Sequence, residues 1–406
     1  MIYLDNAATT KIDPRVLEAM MPYLTDEYGN AGTLYGLGRK SAEAIAKARQ
    51  QVADLICAKP EQIIFTSGGS EANNMVFAGV KDYLTSIGKT HIVTTEIEHD
   101  SVLNAVKNLC KTQYVVGDSC IKPVFDAEYV PPWFYGRIPH QLVIDYIDEI
   151  TDTGTVTGLV SVMHTNNETG LKNMRIEDIG KACKARGILF HTDCVQAAGC
   201  SELNVDDIGC DFMSLSSHKI HGAKGVGALY VRDKSVMSPI IFGGSSQEFG
   251  LRGGTENVAG IVGFGTACEI LRLNQKEDIK YIAELMQLLY DSIQKHLTEH
   301  GLEKICHVNG SDDVGSHGKT INMRFDNVDG ETLLLMLDSR GVCVSAGSAC
   351  RSHESEPSHV LLAMGIDPED ARNSIRFSLS RMNTREEVEE AAKIISDCVC
   401  MLYQQY

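Results

Sequence analysis

The chain has 406 residues, of which 43% are hydrophobic and 22% charged, and its formal net charge is −17. This length and apolar content predict a globular protein of two or three domains. The negative charge argues against direct nucleic-acid binding, which needs a clustered basic face. Residues 1–5 lack the basic segment of a signal peptide, and no apolar stretch reaches the roughly 18 residues of a membrane span. We therefore expect a cytoplasmic protein that does not bind a membrane.

The thirteen cysteines are odd in number and scattered along the chain. This distribution fits a reducing compartment and argues against a disulfide framework. None of them has the paired spacing of a zinc site, so we predict no metal.

Strands and helices alternate over the first two thirds of the chain. Strands are predicted at residues 63–66, 91–95, 157–163, 187–193, 209–215 and 226–231. Helices are predicted at residues 13–22, from 41, after 67, from 98 and at 176–185. This alternation predicts an α/β fold with a mostly parallel central sheet and helices on both faces. Ligands of such sheets bind at the carboxyl ends of the strands.

The pattern changes after about residue 265. A long helix is predicted near residues 277–300 and a final helix at 384–403, with strands at 322–325, 342–345 and 375–378 between them. We therefore expect a large α/β domain over residues 12–265. Residues 1–11 and 266–406 would form a smaller α+β domain.

Lys219 follows the predicted strand 209–215 and lies among hydroxyls and glycines. A desolvated lysine loses its proton readily and then forms Schiff bases with carbonyls, and pyridoxal phosphate is the most plausible aldehyde. Alternatively, Lys219 extends from the strand end to water. The six residues 214–219 alone leave both interpretations open.

Polar side chains follow two further predicted strands. Asp193 would pair with a protonated pyridine nitrogen or, equally, cap a helix. Gln196, three residues later, could donate a hydrogen bond to a ring hydroxyl. His99 is a candidate to stack on a ring, although a lone histidine is more often a packing residue.

Residues 67–71 (Ser-Gly-Gly-Ser-Glu) join a strand to a helix, where glycines and free N–H groups favour an anion. A plain strand-to-helix turn would have a similar sequence. Residues 166–170 (Asn-Asn-Glu-Thr-Gly) follow another strand and either supply amide donors or form a turn.

Arg376 lies in an apolar predicted strand, and such an arginine needs a carboxylate from the protein or from a substrate. Cys350 lies in a loop of small polar residues near Arg351 and His353. The positive charge there favours its thiolate, whereas the alternative is an incidental surface cysteine.

Taken together, these motifs closely resemble the cysteine desulfurase family, the NifS/IscS-like class of pyridoxal-phosphate enzymes with the class-V aminotransferase fold. The matching motifs lie at residues 3–10, 66–71, 98–99, 166–170, 191–196, 216–219, 252–255, 347–350 and 374–379. The resemblance implies a homodimer of fold type I with pyridoxal 5′-phosphate as cofactor.

The resemblance also implies a role for each candidate site residue. The phosphate would be held by Gly69, Ser70, Ser216 and His218, with Thr255 reaching in from the partner subunit. The cofactor ring would contact His99, Asp193, Gln196 and Asn167. Lys219 would form the Schiff base and move the substrate's α proton, with His99 assisting. Arg376 and Asn167 would hold the carboxylate of L-cysteine, and Cys350 would take its sulfur as a persulfide and leave alanine.

Several properties stay open at this point. A selenocysteine lyase, a cysteine β-lyase or an aminotransferase could use the same fold. The acceptor protein that receives the sulfur, for iron–sulfur clusters or thio-modification, is not identified by the sequence. Residues 120–141 exceed the family's usual connection, and we interpret them as a packed surface excursion in preference to a docking surface.

Overall fold

The structure is a computed structural model that describes residues 1–116, 120–152, 154–173, 175–311, 313–346 and 356–404. Its strands are β1 (Ile2–Tyr3), β2 (Ile63–Thr66), β3 (His91–Thr95), β4 (Gln113–Val116), β5 (Cys120–Pro123), β6 (Asp126–Val130), β7 (Thr157–Ser161), β8 (Leu189–Asp193), β9 (Phe212–Ser216), β10 (Gly227–Val231), β11 (Cys306–Val308), β12 (Thr320–Phe325), β13 (Val342–Cys343) and β14 (Ser374–Ser378).

The helices are α1 (Pro14–Leu24), α2 (Gly36–Leu55), α3 (Gly69–Ser86), α4 (Asp100–Cys110), α5 (His140–Asp152), α6 (Ile176–Arg186), α7 (Val205–Ile208), α8 (Val258–Glu299), α9 (Gly330–Ser339), α10 (His359–Ala363), α11 (Pro368–Arg372) and α12 (Arg385–Tyr403). None of the described helices combines the length and the apolar content needed to cross a membrane.

The central sheet has the strand order β2-β10-β9-β8-β7-β3-β6. Strands β6, β3, β7, β8 and β9 are parallel to one another, whereas β10 is antiparallel to both of its neighbours. The prediction of a mostly parallel sheet is therefore confirmed. Because β2 also runs parallel to β9, the carboxyl ends of β2, β7, β8 and β9 meet at one edge.

Alternating side chains of the sheet enter two different hydrophobic cores. On β9, Met213 and Leu215 belong to one core, whereas Phe212 belongs to the other. On β3, Val93 and Ile92 divide in the same way. Successive side chains of a strand point to opposite faces, so helices cover both faces of the sheet, as predicted.

Strand β2 is an edge strand whose free backbone groups are bonded by an ion pair. Arg49 of α2 donates to the carbonyl of Ile63 at 2.5 Å, and the carboxylate of Glu248 accepts from the amide of Phe65 at 2.7 Å. Arg49 and Glu248 also pair with each other at 2.7 Å, and both side chains are largely buried. The pair thereby protects an exposed sheet edge.

A third core lies between α8, α12 and the three-stranded sheet β11-β12-β14, and it includes Ile2 and Leu4 of the N-terminal segment. Helix α8 begins at Val258, capped by Asn257, and runs unbroken for 42 residues. It packs in the first core through Phe264 and in the third through Leu289. The domain boundary expected near residue 265 therefore falls inside a helix, and the division into domains stays a prediction.

The interpretation of residues 120–141 as a surface excursion is wrong for one part. Asp126–Val130 form β6, which pairs in parallel with β3 and completes the central sheet. Exposed Asp126 and Glu128 alternate with more buried Ala127 and Tyr129, which is the pattern of a half-buried edge strand. The charged residues obscured that alternation in a five-residue run.

Candidate active site

A cavity of about 170 Å³ lies at the carboxyl ends of the central strands. Ten of the residues singled out from the sequence line it: Gly69, Ser70, His99, Asn167, Asp193, Gln196, Ser216, His218, Lys219 and Arg376. Thr255 is exposed and does not line this cavity. Cys350 lies outside the described residues.

One end of the cavity is suited to an anion. Helix α3 begins at Gly69 with no side-chain cap, so its first N–H groups remain available. A Cβ atom on Gly69 would lie 2.6 Å from Val195, so the close approach there requires glycine. Burial and the charges of Lys219, Lys224 and Lys319 lower the pKa of His218 to about 4. His218 is therefore a neutral hydrogen-bonding group at physiological pH.

Lys219 lies in a 3₁₀ turn that follows β9 directly. Its Nζ donates to the carbonyl of Ala7 at 2.5 Å and to that of Ala8 at 2.9 Å. The N-terminal segment thus forms a wall beside the amine, and the partly buried Lys219 borders the cavity.

Asp193 ends β8 and is held by two donors. Its Oδ1 accepts from the amide of Val195 at 2.9 Å, and its Oδ2 accepts from Nδ2 of Asn73 at 2.7 Å. No described helix begins directly after Asp193, so the helix-cap alternative does not apply. The carboxylate is 5% exposed and is directed to the cavity.

The same network orients His99, which caps α4. Asn73 donates to the hydroxyl of Ser101 at 2.8 Å, and that oxygen lies 2.7 Å from Nδ1 of His99. Nδ1 also accepts from the amide of Ser101 at 3.1 Å. Nδ1 therefore acts as an acceptor, which leaves the proton of the neutral ring on Nε2.

Glu98, the neighbour of His99, is fully buried. Its Oε1 accepts from the hydroxyl of Thr95 at 2.8 Å and from the amide of Met163 at 2.7 Å. Burial, and to a lesser extent the charge of Asp193, raise the pKa of Glu98 to about 8. A protonated carboxyl group therefore lies under the site at neutral pH.

Arg376 on β14 is 2% exposed and reaches the cavity from the third core. Its Nη2 lies 2.9 Å from Oδ1 of Asp5, and its Nη1 donates to the carbonyl of Asn167 at 3.1 Å. A protein carboxylate thus partners Arg376, which is the commoner of the two expected cases. Its Nε makes no hydrogen bond within the described part of the chain.

Two contacts anchor the chain after residues 347–355, the segment that contains Cys350. The hydroxyl of Ser358 donates to Oε2 of Glu168 at 2.5 Å, and Nε2 of His359 lies 3.0 Å from the carbonyl of Glu98. Before that segment, Ser345 exchanges backbone hydrogen bonds with Arg376. The described residues on either side of the segment are therefore fixed to residues at or next to the cavity.

Sequence analysis missed three residues that organise the site, namely Asn73, Ser101 and Asp5. Asn73 lies four residues after Gly69 on α3, and this spacing places both on one helix face. That signal could have identified Asn73. The pairing of Asp5 with Arg376 joins residues 371 positions apart, and no local pattern marks it.

The cavity fits pyridoxal phosphate in size and in polarity. Five buried atoms of its lining make no hydrogen bond within the described residues: Asn73 Oδ1, Asn167 Oδ1, Gln196 Oε1, Ser216 Oγ and Arg376 Nε. Buried polar atoms normally have partners, so these atoms indicate a polar ligand. A cavity of about 150 Å³ holds a benzene ring, so there is room for one substituted aromatic ring with its anion at α3.

Comparison with known proteins first gives the class. Residues 2–390 match the family described as Aminotransferase class-V. A cysteine desulfurase of Trichormus azollae is 41% identical over 399 residues, which cover 98% of this chain and 93% of that protein. The chain belongs to the cysteine desulfurase family of class-V aminotransferases.

Solved structures agree with this assignment. A "NifS-like protein" matches with a TM-score of 0.84 and 34% identity, covering 98% of this chain and 99% of the other. A structure described as "SspA in complex with cysteine" matches with a TM-score of 0.74 and 33% identity, covering 95% and 100%. The resemblance and the fold class expected from the sequence are confirmed.

Proposed function

We propose that this protein is a pyridoxal-phosphate-dependent cysteine desulfurase, which converts L-cysteine to L-alanine and transfers the sulfur to its own Cys350. The observation that carries the proposal is the convergence of Lys219, Asp193 and five unpartnered buried polar atoms on one ring-sized cavity. Family membership alone would also allow other reactions of amino acids.

Pyridoxal phosphate, when bound, withdraws electrons from the Cα of an amino acid and so makes its proton acidic. Lys219 is the group that would hold the cofactor covalently and then carry the substrate's α proton on Nζ. Asp193, fixed by Asn73 and Val195, would keep the ring nitrogen protonated through its negative charge. His99 would stack on the ring and donate from Nε2.

The phosphate would bind at the α3 end of the cavity. The N–H groups of Gly69 and Ser70, the hydroxyl of Ser216 and the ring of His218 would donate to it. The unpartnered Oε1 of Gln196 and Oδ1 of Asn167 would accept hydrogen bonds from polar substituents of the ring.

Arg376 would bind the carboxylate of L-cysteine together with Asn167. The ion pair with Asp5 holds the guanidinium in place, and the unpartnered Nε remains for the substrate. A bound carboxylate would give the buried guanidinium a second anionic partner, and charge-assisted bonds of this kind are strong.

Cys350 would act as the nucleophile. Its thiolate attacks the sulfur of the substrate, an S–S bond forms, and the C–S bond breaks with its electron pair passing to carbon, which is then protonated to give alanine. The persulfide on Cys350 would pass to an acceptor protein of iron–sulfur assembly or thio-modification.

A cytoplasmic homodimer is part of this proposal. Thr255 is exposed, and Ile241, next to the 84% exposed Phe242, pairs with Arg252 in the same segment. An exposed aromatic residue beside a candidate phosphate ligand supports a subunit interface here. Thr255 would then complete the phosphate site of the partner subunit.

A product assay tests the proposal. Purified protein is incubated with pyridoxal phosphate, L-cysteine and a reductant, and both alanine and sulfide are quantified. We expect equal amounts of the two products, and loss of both in Lys219→Ala and in Cys350→Ser. Cys57→Ser is the matched control, because Cys57 is an exposed free cysteine and does not line the site.

Other outcomes would contradict the proposal in different ways. Pyruvate and ammonia in place of alanine would indicate a β-lyase. Full sulfur release by Cys350→Ser would exclude a persulfide on that residue. Alanine formed from selenocysteine but not from cysteine would indicate a selenocysteine lyase.

A further inference from the structure

Lys319 places a buried ammonium group directly behind Lys219. The residue immediately precedes β12 and is 5% exposed. Its Nζ donates to the carbonyl of Lys219 at 3.2 Å and lies 3.5 Å from the carbonyl of Ala198. One carbonyl belongs to Lys219 itself, and the other lies two residues after Gln196. A single side chain from the third core therefore contacts two segments that carry candidate cofactor ligands.

No carboxylate forms an ion pair with Lys319 among the described residues, which is unusual for a buried lysine. Burial lowers the pKa of its ammonium group. Cys200 interacts with Lys319, and His221, Asp278 and Arg381 line a small cavity with Lys319 and Lys219. The titratable and charged groups that line the larger cavity with Lys219 are His99, Asp193, His218 and Arg376, and Lys224 acts on His218. Removal of the charge would relieve a desolvation cost, so the stability of the fold does not account for the positive charge at this position.

Lys319, Asp278 and Arg381 line a small cavity of about 20 Å³. This volume accommodates about one water molecule. Oδ2 of Asp278 is buried there and makes no hydrogen bond within the described residues. Lys319 therefore has polar surroundings on its far side, whereas its two direct acceptors both belong to the cofactor side.

We propose that Lys319 is a positioning residue for Lys219, which fixes the 3₁₀ turn Ser217–Lys219 through its last carbonyl and adds a second positive charge behind the cofactor. The inference rests on the proposed role of Lys219. Lys319 is not among the residues that line the larger cavity, because it contacts the turn from the side away from that cavity.

The electrostatic consequence has a definite sign. A positive charge close to a basic nitrogen opposes its protonation, and Lys319 already lowers the pKa of His218 and His221 in this way. The nitrogen that Lys219 would share with the cofactor lies at the end of the side chain of the residue whose carbonyl Lys319 contacts. Its protonation should therefore occur at lower pH with Lys319 present than without it.

An absorbance titration of the holoenzyme tests this inference. The pH at which the absorption band of bound pyridoxal phosphate changes reports the protonation of the nitrogen shared with Lys219. In Lys319→Met we expect this midpoint to rise by about one pH unit. Lys319→Arg keeps the charge, so its midpoint should stay near that of the unaltered protein. Lys319→Gln keeps a hydrogen-bond donor without the charge, and its midpoint should rise by a similar amount. It replaces Lys319→Met in this test if Lys319→Met folds poorly.

Lys172→Met is the matched control. Nζ of Lys172 donates to the carbonyl of Cys200 at 2.6 Å, so it holds the same segment as Lys319 but does not contact Lys219. An unchanged midpoint in Lys319→Met and Lys319→Gln, at full cofactor content, would overturn the inference. Equal shifts in Lys172→Met and Lys319→Met would also overturn it. The absence of a cofactor band, or a band that does not depend on Lys219, would instead overturn the proposed function.

Discussion

The side-chain amide of Asn73 lies 2.7 Å from Oδ2 of Asp193 and connects that carboxylate to Ser101 and His99. One amide thereby sets the orientation of two side chains that line the candidate ring site. Because Oδ1 of Asp193 is held by the amide of Val195, the loss of Asn73 would free one oxygen and leave the other fixed.

Asn73→Ala should therefore weaken cofactor binding more than it weakens the fold. A hydrogen bond to a charged group contributes about 1.5–3 kcal/mol, so we expect the dissociation constant for pyridoxal phosphate to rise roughly tenfold to hundredfold. Fluorescence titration of the apoprotein measures it. Asn74→Ala is the control, since Asn74 bonds only a carbonyl of its own helix. Equal affinities in both variants would contradict the role of Asn73.

The raised pKa of Glu98 predicts a specific dependence of the protein's stability on pH. The folded protein holds a proton on a carboxyl group of pKa about 8, whereas the unfolded chain releases it near pH 4.5. The stability that Glu98 contributes is therefore full below about pH 4.5 and is lost as the pH rises toward 8. Glu98→Gln removes this titration, so its melting temperature should fall less between pH 5 and pH 8.

Calorimetry at several pH values between 5 and 8 measures the difference, which we expect to reach several degrees at pH 8. Glu389→Gln on the exposed face of α12 controls for the loss of one carboxylate. Parallel melting curves for Glu98→Gln and the unaltered protein across this range would show that Glu98 does not hold the proton.

We expect the hydroxyl of Ser358, which follows the Cys350 segment, to contribute to the free energy of unfolding. Its hydroxyl donates to the buried carboxylate of Glu168 and also caps α10 by accepting from the amide of Leu361 at 3.2 Å. Ser358→Ala leaves both groups without their partner, which should cost about 1–3 kcal/mol of unfolding free energy. Urea denaturation measures this cost, and Ser358→Thr should recover most of it. A loss below a few tenths of a kcal/mol would contradict the anchoring role.

Because Arg49 and Glu248 form a buried ion pair, we expect strongly non-additive losses of stability when the two are substituted singly and together. Glu248→Ala leaves the buried guanidinium without its carboxylate and the amide of Phe65 without its acceptor, so we expect a loss of about 3–5 kcal/mol. Arg49→Met combined with Glu248→Leu should cost less than the sum of the single changes. The exposed pair of Lys40 and Glu27 is the control, and Lys40→Ala should cost less than about 1 kcal/mol. Additive losses at Arg49 and Glu248 would show that the pair does not act as a unit.

Local patterns were sufficient for the centre of the sheet. Residues 91–95 and 63–66 are short apolar runs between turn signals, and the structure has β3 and β2 at those positions. Their carboxyl ends carry the polar motifs of the site, so a correct strand assignment was enough to bring the motifs together. The ten cavity residues could be predicted because each lies directly after a strand, at a helix start or within a recognised motif.

Long-range contacts account for what could not be predicted. Helix α8 starts at Val258, about twenty residues before the expected start, because small residues such as Gly260 and Gly263 weaken the local helix signal while tertiary packing supports the helix. Gly263 lies against Met20 of α1, where a Cβ would come within 2.6 Å of the sulfur. Lys319 was missed for a similar reason, since its acceptors belong to residues about 100 positions earlier.

The 42 residues of α8 also limit how the enzyme moves. At about 1.5 Å per residue the helix is roughly 63 Å long, and it contributes to the cores on both sides of the active site. A hinge motion of either side would have to bend α8 or break its apolar contacts with one of the two cores. We therefore expect the described walls of the cavity to be in place before cysteine enters, and the radius of gyration in solution to be the same with and without substrate.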